Sequence, residues 1–302
     1  MYRILANDGI SDNIILKFKS LGIEVVDVHY SEEKLEKVLK EFDVLIVRSK
    51  TKVTKEVLDK VANSKLKLII RAGVGLDNIE VDYGKLLGIE IKNTPNASTD
   101  SVAELVIGHI FSLARFIGIS NLTMRHGQWN KKAYKGIEIS GKTLGIIGMG
   151  RIGQSVAKKA NALGMKVVYY TIEGKRNDLE YDFLSFEDLL KTSDFISIHI
   201  PYDKSKGPLI GKDEFKLMKN GVYIINCSRG KVIDEKALVE SLDNHKVAGA
   251  GIDVFEEEPT NNKKLLNHEN VSVTPHIGAS TIEAQNRIEY EVFSIVKKFF
   301  NL

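Results

Sequence analysis

The stretch Thr143–Tyr170 constrains the fold more than any other part of this chain. A short apolar run, Leu144–Ile147, leads into Gly148-x-Gly150-x-x-Gly153. An Ala- and Lys-bearing stretch runs on to Leu163, and Lys166–Tyr170 is apolar again. That order is strand, glycine turn, helix, strand. In such a unit the first glycine allows a tight turn, the second lets the backbone approach a pyrophosphate, and the third lets the helix pack on its strand. The helix start adds N–H groups and a partial positive charge that suit phosphates. The stretch points to a dinucleotide, although a purely structural βαβ turn has the same outline. A site that prefers NAD usually ends its second strand with an acid for the ribose hydroxyls, about 20 residues on. Thr171 occupies that position, with Glu173, Lys175 and Arg176 beyond it. Thr171 can bond a ribose hydroxyl but does not repel a 2′-phosphate, and Lys175 or Arg176 could attract one. The loop also reads as an ordinary solvated turn. NAD is the expected cofactor, with NADP as the alternative.

The rest of the chain repeats the alternation. Strands are expected at Tyr2–Leu5, Glu24–Val28, Val44–Val47, Leu66–Ile70 and Glu90–Lys92, with helices at Ser11–Leu21, Glu32–Glu41, Lys55–Ala62 and Val81–Leu87. A long helix follows from Ser101 to Arg115 and continues towards Met124, capped by Thr99 or Asp100. A second α/β series begins at Gly141, and Ile282–Phe300 is a last amphipathic helix with no strand after it. Strands alternating with helices predict parallel sheets covered on both faces. The expected fold is α/β, with two Rossmann-like doubly wound domains. A nucleotide-binding domain over 97–281 is inserted into a substrate-binding domain made of 1–96 and 282–302.

At 302 residues the chain suits two domains. A formal charge of +3, with acids and bases interspersed, excludes an obvious nucleic-acid surface. The single cysteine, Cys227, excludes an intrachain disulfide and suits a reducing cytoplasm. The N-terminus lacks a signal-peptide layout, and no apolar run approaches the roughly 20 residues of a membrane span. Neither H-E-x-x-H nor C-x-x-C is present, so no metal is expected.

Three polar residues lie just past strand ends, where βα chains place function: Arg229 after IINCS, Glu258 after GIDVF and two more acids, and His276 after VSVTP. A histidine exchanges a proton near neutral pH, a carboxylate beside it fixes its tautomer, and an arginine offers a planar fork to a carboxylate or carbonyl. Together they suit hydride transfer to an α-keto acid. Taken singly, each also fits a structural role.

Several further stretches resemble the D-2-hydroxyacid dehydrogenase family, and within it the 3-phosphoglycerate branch most closely. They are VRSKTKVT (47–54), RAGVGLDN (71–78), NTPN (93–96), HIP (199–201), NCSRG (226–230), GIDVFEEEP (251–259) and TPHIGAST (274–281), in addition to 141–153. The resemblance implies that Arg229, Glu258 and His276 are catalytic. It implies NAD contacts at Gly148, Gly150, Arg151, Ile152, Gly153, Thr171, His199, Pro201, Cys227, Ser228 and Asp253, the last at the nicotinamide amide. It implies substrate contacts at Arg48, Ser49, Arg71, the Ala72, Gly73, Val74 and Gly75 backbone, and Asn96. Gly73 and Gly75 would permit an anion-binding nest there.

The implied reaction is NAD-dependent oxidation of 3-phospho-D-glycerate, at the entry to serine synthesis. Another 2-hydroxyacid dehydrogenase, such as a glyoxylate or hydroxypyruvate reductase, is the runner-up, and an NAD(H)-sensing corepressor is the alternative of another class. The family also implies a homodimer through the nucleotide-binding domain, embraced by the long helix and the loop near Trp129. Ending at Leu302, the chain is expected to lack a C-terminal regulatory domain.

Overall fold

The computed structural model describes residues 1–302, and its strands form two parallel sheets, one of five strands and one of seven. The chain divides into two compact units: Met1–Ser98 with Ala279–Leu302, and Thr99–Gly278.

In the first unit, β1 (Arg3–Ala6), β2 (Glu24–Val26), β3 (Val44–Val47), β4 (Leu68–Arg71) and β5 (Glu90–Asn93) are ordered β2-β1-β3-β4-β5. Successive strand residues alternate between two cores, as a sheet buried on both faces requires. Ile4, Val44, Ile46, Leu68 and Ile70 pack with Ile14 and Phe18 of one helix and Ile288, Val292 and Val296 of another. Leu5, Leu45, Val47 and Ile69 face Leu35, Val57, Leu58 and Val61. The last helix, Ile282–Phe299, therefore covers the sheet of the first unit. It is tied to the helix Asp12–Ser20 by Glu289, which accepts from Ser11 N at 3.0 Å and Ser11 Oγ at 2.5 Å.

In the second unit, β6 (Thr143–Ile147), β7 (Lys166–Tyr170), β8 (Asp182–Phe183), β9 (Phe195–Ile198), β10 (Val222–Asn226), β11 (Val247–Ile252) and β12 (Val271–Val273) are ordered β12-β11-β10-β9-β6-β7-β8. The order reverses between β6 and β9. Doubly wound sheets bind ligands at such a reversal, beyond the carboxyl ends of the strands. In the first unit the same reversal falls between β1 and β3, whose carboxyl ends lead to Asp8 and Arg48.

Three local expectations are corrected. The long helix does not continue towards Met124. It ends at Ala114, and a second helix, Ile117–Arg125, leaves at 65° through Phe116 in the left-handed conformation, φ 55°. Ile137 N donates to the Ala114 carbonyl at 2.9 Å, in place of the next helical turn, and the Phe116 ring packs on Tyr134. Thr99 and Asp100 lie inside the first turn rather than capping it, and Asp100 instead accepts from Ser155 and Lys159. Finally, β4 runs to Arg71, so Arg71 ends the strand instead of following it. No single helix is long and apolar enough to cross a membrane.

Candidate active site

The glycine turn after β6 is built for close approach. A Cβ on Gly148 would lie 2.4 Å from the His199 carbonyl, and one on Gly153 would lie 2.2 Å from the Gly148 carbonyl. Gly150 faces open space instead. It precedes the helix Arg151–Ala162, whose N-terminus no side chain caps. Tight packing at the first and third glycines, with an open second and an uncapped helix start, fits a pyrophosphate over Gly150 with the Arg151 and Ile152 amides beneath it. His199 follows β9. Its N–H donates to Ile147 O at 2.7 Å, and its Nε2 lies 2.8 Å from Ser197 Oγ. Burial lowers its pKa to about 4, so the ring is neutral at neutral pH. Pro201 is exposed beside it. Cys227 is buried and its thiol is pushed up, first by burial and then by the charge of Asp253, which keeps it protonated. Ser228 bonds back to Asn226 through both N and Oγ.

The structure brings His276 and Glu258 together. His276 Nδ1 lies 2.6 Å from Glu258 Oε2. Burial alone would raise the Glu258 pKa, but the His276 hydrogen bond and charge, the Phe255 amide and the charge of Arg229 outweigh it. The carboxyl is held below its usual value. Ionised Glu258 accepts a hydrogen bond from Nδ1–H and leaves Nε2 outside that bond. His276 itself is left-handed, φ 52°, with its N–H donating to Asp253 O at 2.8 Å. The Asp253 carboxylate braces the same loop. It accepts from Thr274 Oγ1 at 2.6 Å, Ile277 N at 2.8 Å and Gly278 N at 2.9 Å, and it is buried. Of a carboxylate's roughly four acceptor positions, these leave about one for a ligand amide.

Arg229 is carried by the loop after β10. Its carbonyl accepts from Asn226 Nδ2 at 2.9 Å, and its Nη1 donates to Ser228 O at 2.6 Å. The next residue, Gly230, presses on the backbone after β11: a Cβ there would lie 1.9 Å from Phe255 C and O. Glu235 and Glu256 lock the two loops reciprocally, each side chain accepting from the other's amide at 2.9 and 2.8 Å. The loop of Arg229 and the loop of Glu258 are thereby held together.

In the first unit, Arg48 follows β3 at the strand-order reversal. Its amide donates to Asp8 Oδ2 at 2.7 Å, and Asp8 also takes Thr51 N and Oγ1. Arg48 Nη1 donates to Gln285 Oε1 at 2.5 Å, a neutral partner, and its Nε is buried with no partner. The Arg71 side chain folds back over Gly73, where a Cβ would lie 1.4 Å from its Nη1. The nest is narrower than expected. Ala72 N donates to Val47 O and Gly73 N to Arg71 O, so the Val74 and Gly75 amides remain for an anion. Gly73 has φ 154°, whereas Gly75 does not adopt a positive φ. Ser49 and Asn96 are exposed. The sequence assigns no role to Asp8, Gln285 or Glu235, each of which looks like an ordinary loop or helix residue, and it marks Gly230 only as part of NCSRG (226–230).

One outcome of this geometry is directly measurable. Glu258→Gln removes the acceptor charge, and kcat is expected to fall about 100-fold or more. The folded Glu258 pKa is depressed, so its contribution to activity should persist through neutral pH and fade only as pH drops through that lowered value. A kcat–pH profile checks both.

Residues 107–278 match the model of the D-isomer specific 2-hydroxyacid dehydrogenase NAD binding domain. The chain is 45% identical over 303 residues to hydroxypyruvate reductase of Thermotoga maritima, covering 99% of this chain and 97% of that one. It is 44% identical over 306 residues to D-3-phosphoglycerate dehydrogenase of Methanocaldococcus jannaschii, and there it spans only 57% of the relative's length. D-lactate dehydrogenase from Aquifex aeolicus, solved with NAD and lactic acid, superposes with a TM-score of 0.84 at 32% identity, covering 99% of this chain and 95% of that one.

Proposed function

Because the chain belongs to the D-isomer specific 2-hydroxyacid dehydrogenases, NAD-dependent oxidoreductases, we propose that it oxidises 3-phospho-D-glycerate to 3-phosphohydroxypyruvate, the entry to serine synthesis. The observation that carries this reading is Arg48. It is a part-buried guanidinium held by a neutral amide, with a buried Nε left over, so its charge remains for an anionic ligand. Arg71, at the end of the neighbouring strand, supplies a second cation, and the Val74 and Gly75 amides supply donors. Two arginines suit a substrate with both carboxylate and phosphate. A specific observation favours a second reading, reduction of hydroxypyruvate: the Thermotoga relative carries that name and matches this chain along nearly its whole length.

NAD, when bound, supplies the hydride acceptor. The chain supplies the rest. Arg229 binds the carboxylate and polarises the oxygen at C2. His276 Nε2 takes the C2 hydroxyl proton in oxidation and returns it in reduction. Glu258 holds Nδ1–H and stabilises the imidazolium as it forms. These contacts strengthen as charge develops, which is what lowers a barrier.

The experiment is NADH oxidation with 3-phosphohydroxypyruvate, hydroxypyruvate, glyoxylate and pyruvate. At least a tenfold preference in kcat/KM for the phosphorylated acid is expected. Arg48→Ala should raise its KM roughly 10- to 100-fold, the scale of one lost charge-assisted bond. Equal rates on hydroxypyruvate would move the chain to the second reading.

A homodimer and a cytoplasmic setting complete the proposal. Trp129 is 77% exposed and lies near the helix Ile117–Arg125, whose Ile117, Leu122 and Met124 are each more than half exposed. Such apolar anchors suit a second copy. Sedimentation should give a dimer, with Trp129→Ala raising the dissociation constant by about tenfold or more. The free thiol of Cys227 suits a reducing compartment.

A further inference from the structure

The loop after β7 lacks an acid at the strand end, yet it brings one back. Gly174 N donates to Thr171 O at 3.1 Å, closing a tight turn in which Gly174 adopts φ 84°. The turn returns Glu173 towards Thr171, whose hydroxyl donates to Glu173 Oε2. That bond lowers the Glu173 pKa, so the exposed carboxylate is ionised at neutral pH. The cation beyond is already engaged. Arg176 Nε and Nη2 donate to the two carboxylate oxygens of Asp178 at 3.1 and 2.5 Å. Its Nη1 donates to the carbonyl of Met149, the residue between the first two glycines, at 3.1 Å. Arg176 therefore clasps this loop to the glycine turn.

We propose that Thr171 and Glu173 together read the adenosine ribose of the cofactor in place of a single strand-end acid. Asp178 at the same time withholds Arg176 from a 2′-phosphate, so the chain selects NAD(H) over NADP(H). Having given its proton to Glu173, the Thr171 hydroxyl can only accept, and so can the carboxylate. Acceptors suit the 2′- and 3′-hydroxyls, which are donors. A 2′-phosphate carries acceptors and negative charge, so it would meet an ionised carboxylate. The guanidinium fork that would suit it is occupied by a bidentate carboxylate and a carbonyl. Lys175 is exposed on the same turn and offers only a solvated point charge.

The test is calorimetric titration of the full chain with NADH and with NADPH, which reads binding without turnover. The unaltered chain should bind NADH at least tenfold more tightly. Glu173→Gln should narrow that ratio by about fivefold, the scale of an exposed charge pair, chiefly through tighter NADPH binding. Adding Asp178→Asn should tighten NADPH binding again by releasing Arg176. Thr171→Val should weaken NADH binding severalfold. Raising the salt concentration should shrink the effect of Glu173→Gln, because the Glu173 carboxylate is exposed. These side chains lie on a surface loop, so the variants keep the core of the unit. Equal affinity for the two cofactors in the unaltered chain, or an unchanged ratio in Glu173→Gln, would overturn the assignment.

Discussion

Replacing His276 by alanine is expected to reduce kcat about 1,000-fold while leaving NADH affinity within about twofold, the cost of losing a positioned general acid–base. The geometry explains why the loss should fall on kcat. His276 stands at the end of a relay in which ionised Glu258 fixes Nδ1–H and Asp253 holds the loop from beneath. Removing the imidazole leaves that brace intact, because the Asp253 bonds run to backbone amides and to Thr274. The folded state and the glycine turn proposed to hold the dinucleotide should therefore survive. Stopped-flow turnover set beside a fluorescence titration of NADH separates the two quantities. Turnover within tenfold of the unaltered enzyme would remove His276 from the proton-transfer role. A His276→Gln variant should be no better than alanine, since an amide occupies the space without exchanging a proton.

The second large effect is expected at a residue with no side chain. Gly230→Ala should destabilise the second unit by about 3 kcal/mol or more, the upper range for an overpacked site. The reason is that the added methyl would lie 1.9 Å from backbone atoms of Phe255, which cannot rotate away as a side chain can. Two strand-end loops would have to part, and they carry Arg229 and Glu258. Loss of activity should accompany loss of stability, because the same displacement separates both residues from their places. For a unit of this size the thermal midpoint should fall by about 6–12 °C. Differential scanning calorimetry checks this, and an unchanged midpoint would mean that the loops have slack the geometry does not show. Glu235→Gln tests the same junction more gently: Gln keeps an acceptor for the Glu256 amide, but it turns an NH2 group towards Asn262 Nδ2, which now donates to Glu235 Oε2 at 2.6 Å.

The second unit's glycine turn was readable in advance because each residue there answers a local requirement: three glycines at fixed offsets between two apolar runs. The alternating strands were readable for the same reason. The break at Phe116 was not. Apolar periodicity runs straight through it, and what ends the helix is Ile137, 23 positions beyond Ala114, claiming the Ala114 carbonyl. The short helix Lys263–Leu266 also escaped notice, being a single turn with an Asn262 cap. The candidate residues Arg229, Glu258 and His276 could be named from strand-end positions. The pairing of His276 with Glu258 was expected as well, whereas the residues that aim Arg48 could not be named. Gln285 and Asp8 are separated from Arg48 by long stretches of chain and meet it only through sheet order and the returning helix. The expected nest shows the same limit. The glycines were visible, but which amides were already spent on Val47 and Arg71 depended on strand register.

The split composition of the first unit has a consequence for how the chain is made. A ribosome releases the five strands of that unit first, but the helix bearing Ile288, Val292 and Val296 comes only after the whole of 99–278. Until then the face formed by Ile4, Val44, Ile46, Leu68 and Ile70 has lost one of its covering elements. The middle segment is contiguous and can finish folding while its neighbour waits. Vectorial synthesis thus orders assembly from the inside of the sequence outwards. The waiting sheet is the stage at which aggregation competes with folding, and at which a chaperone that shields apolar surface has most to protect.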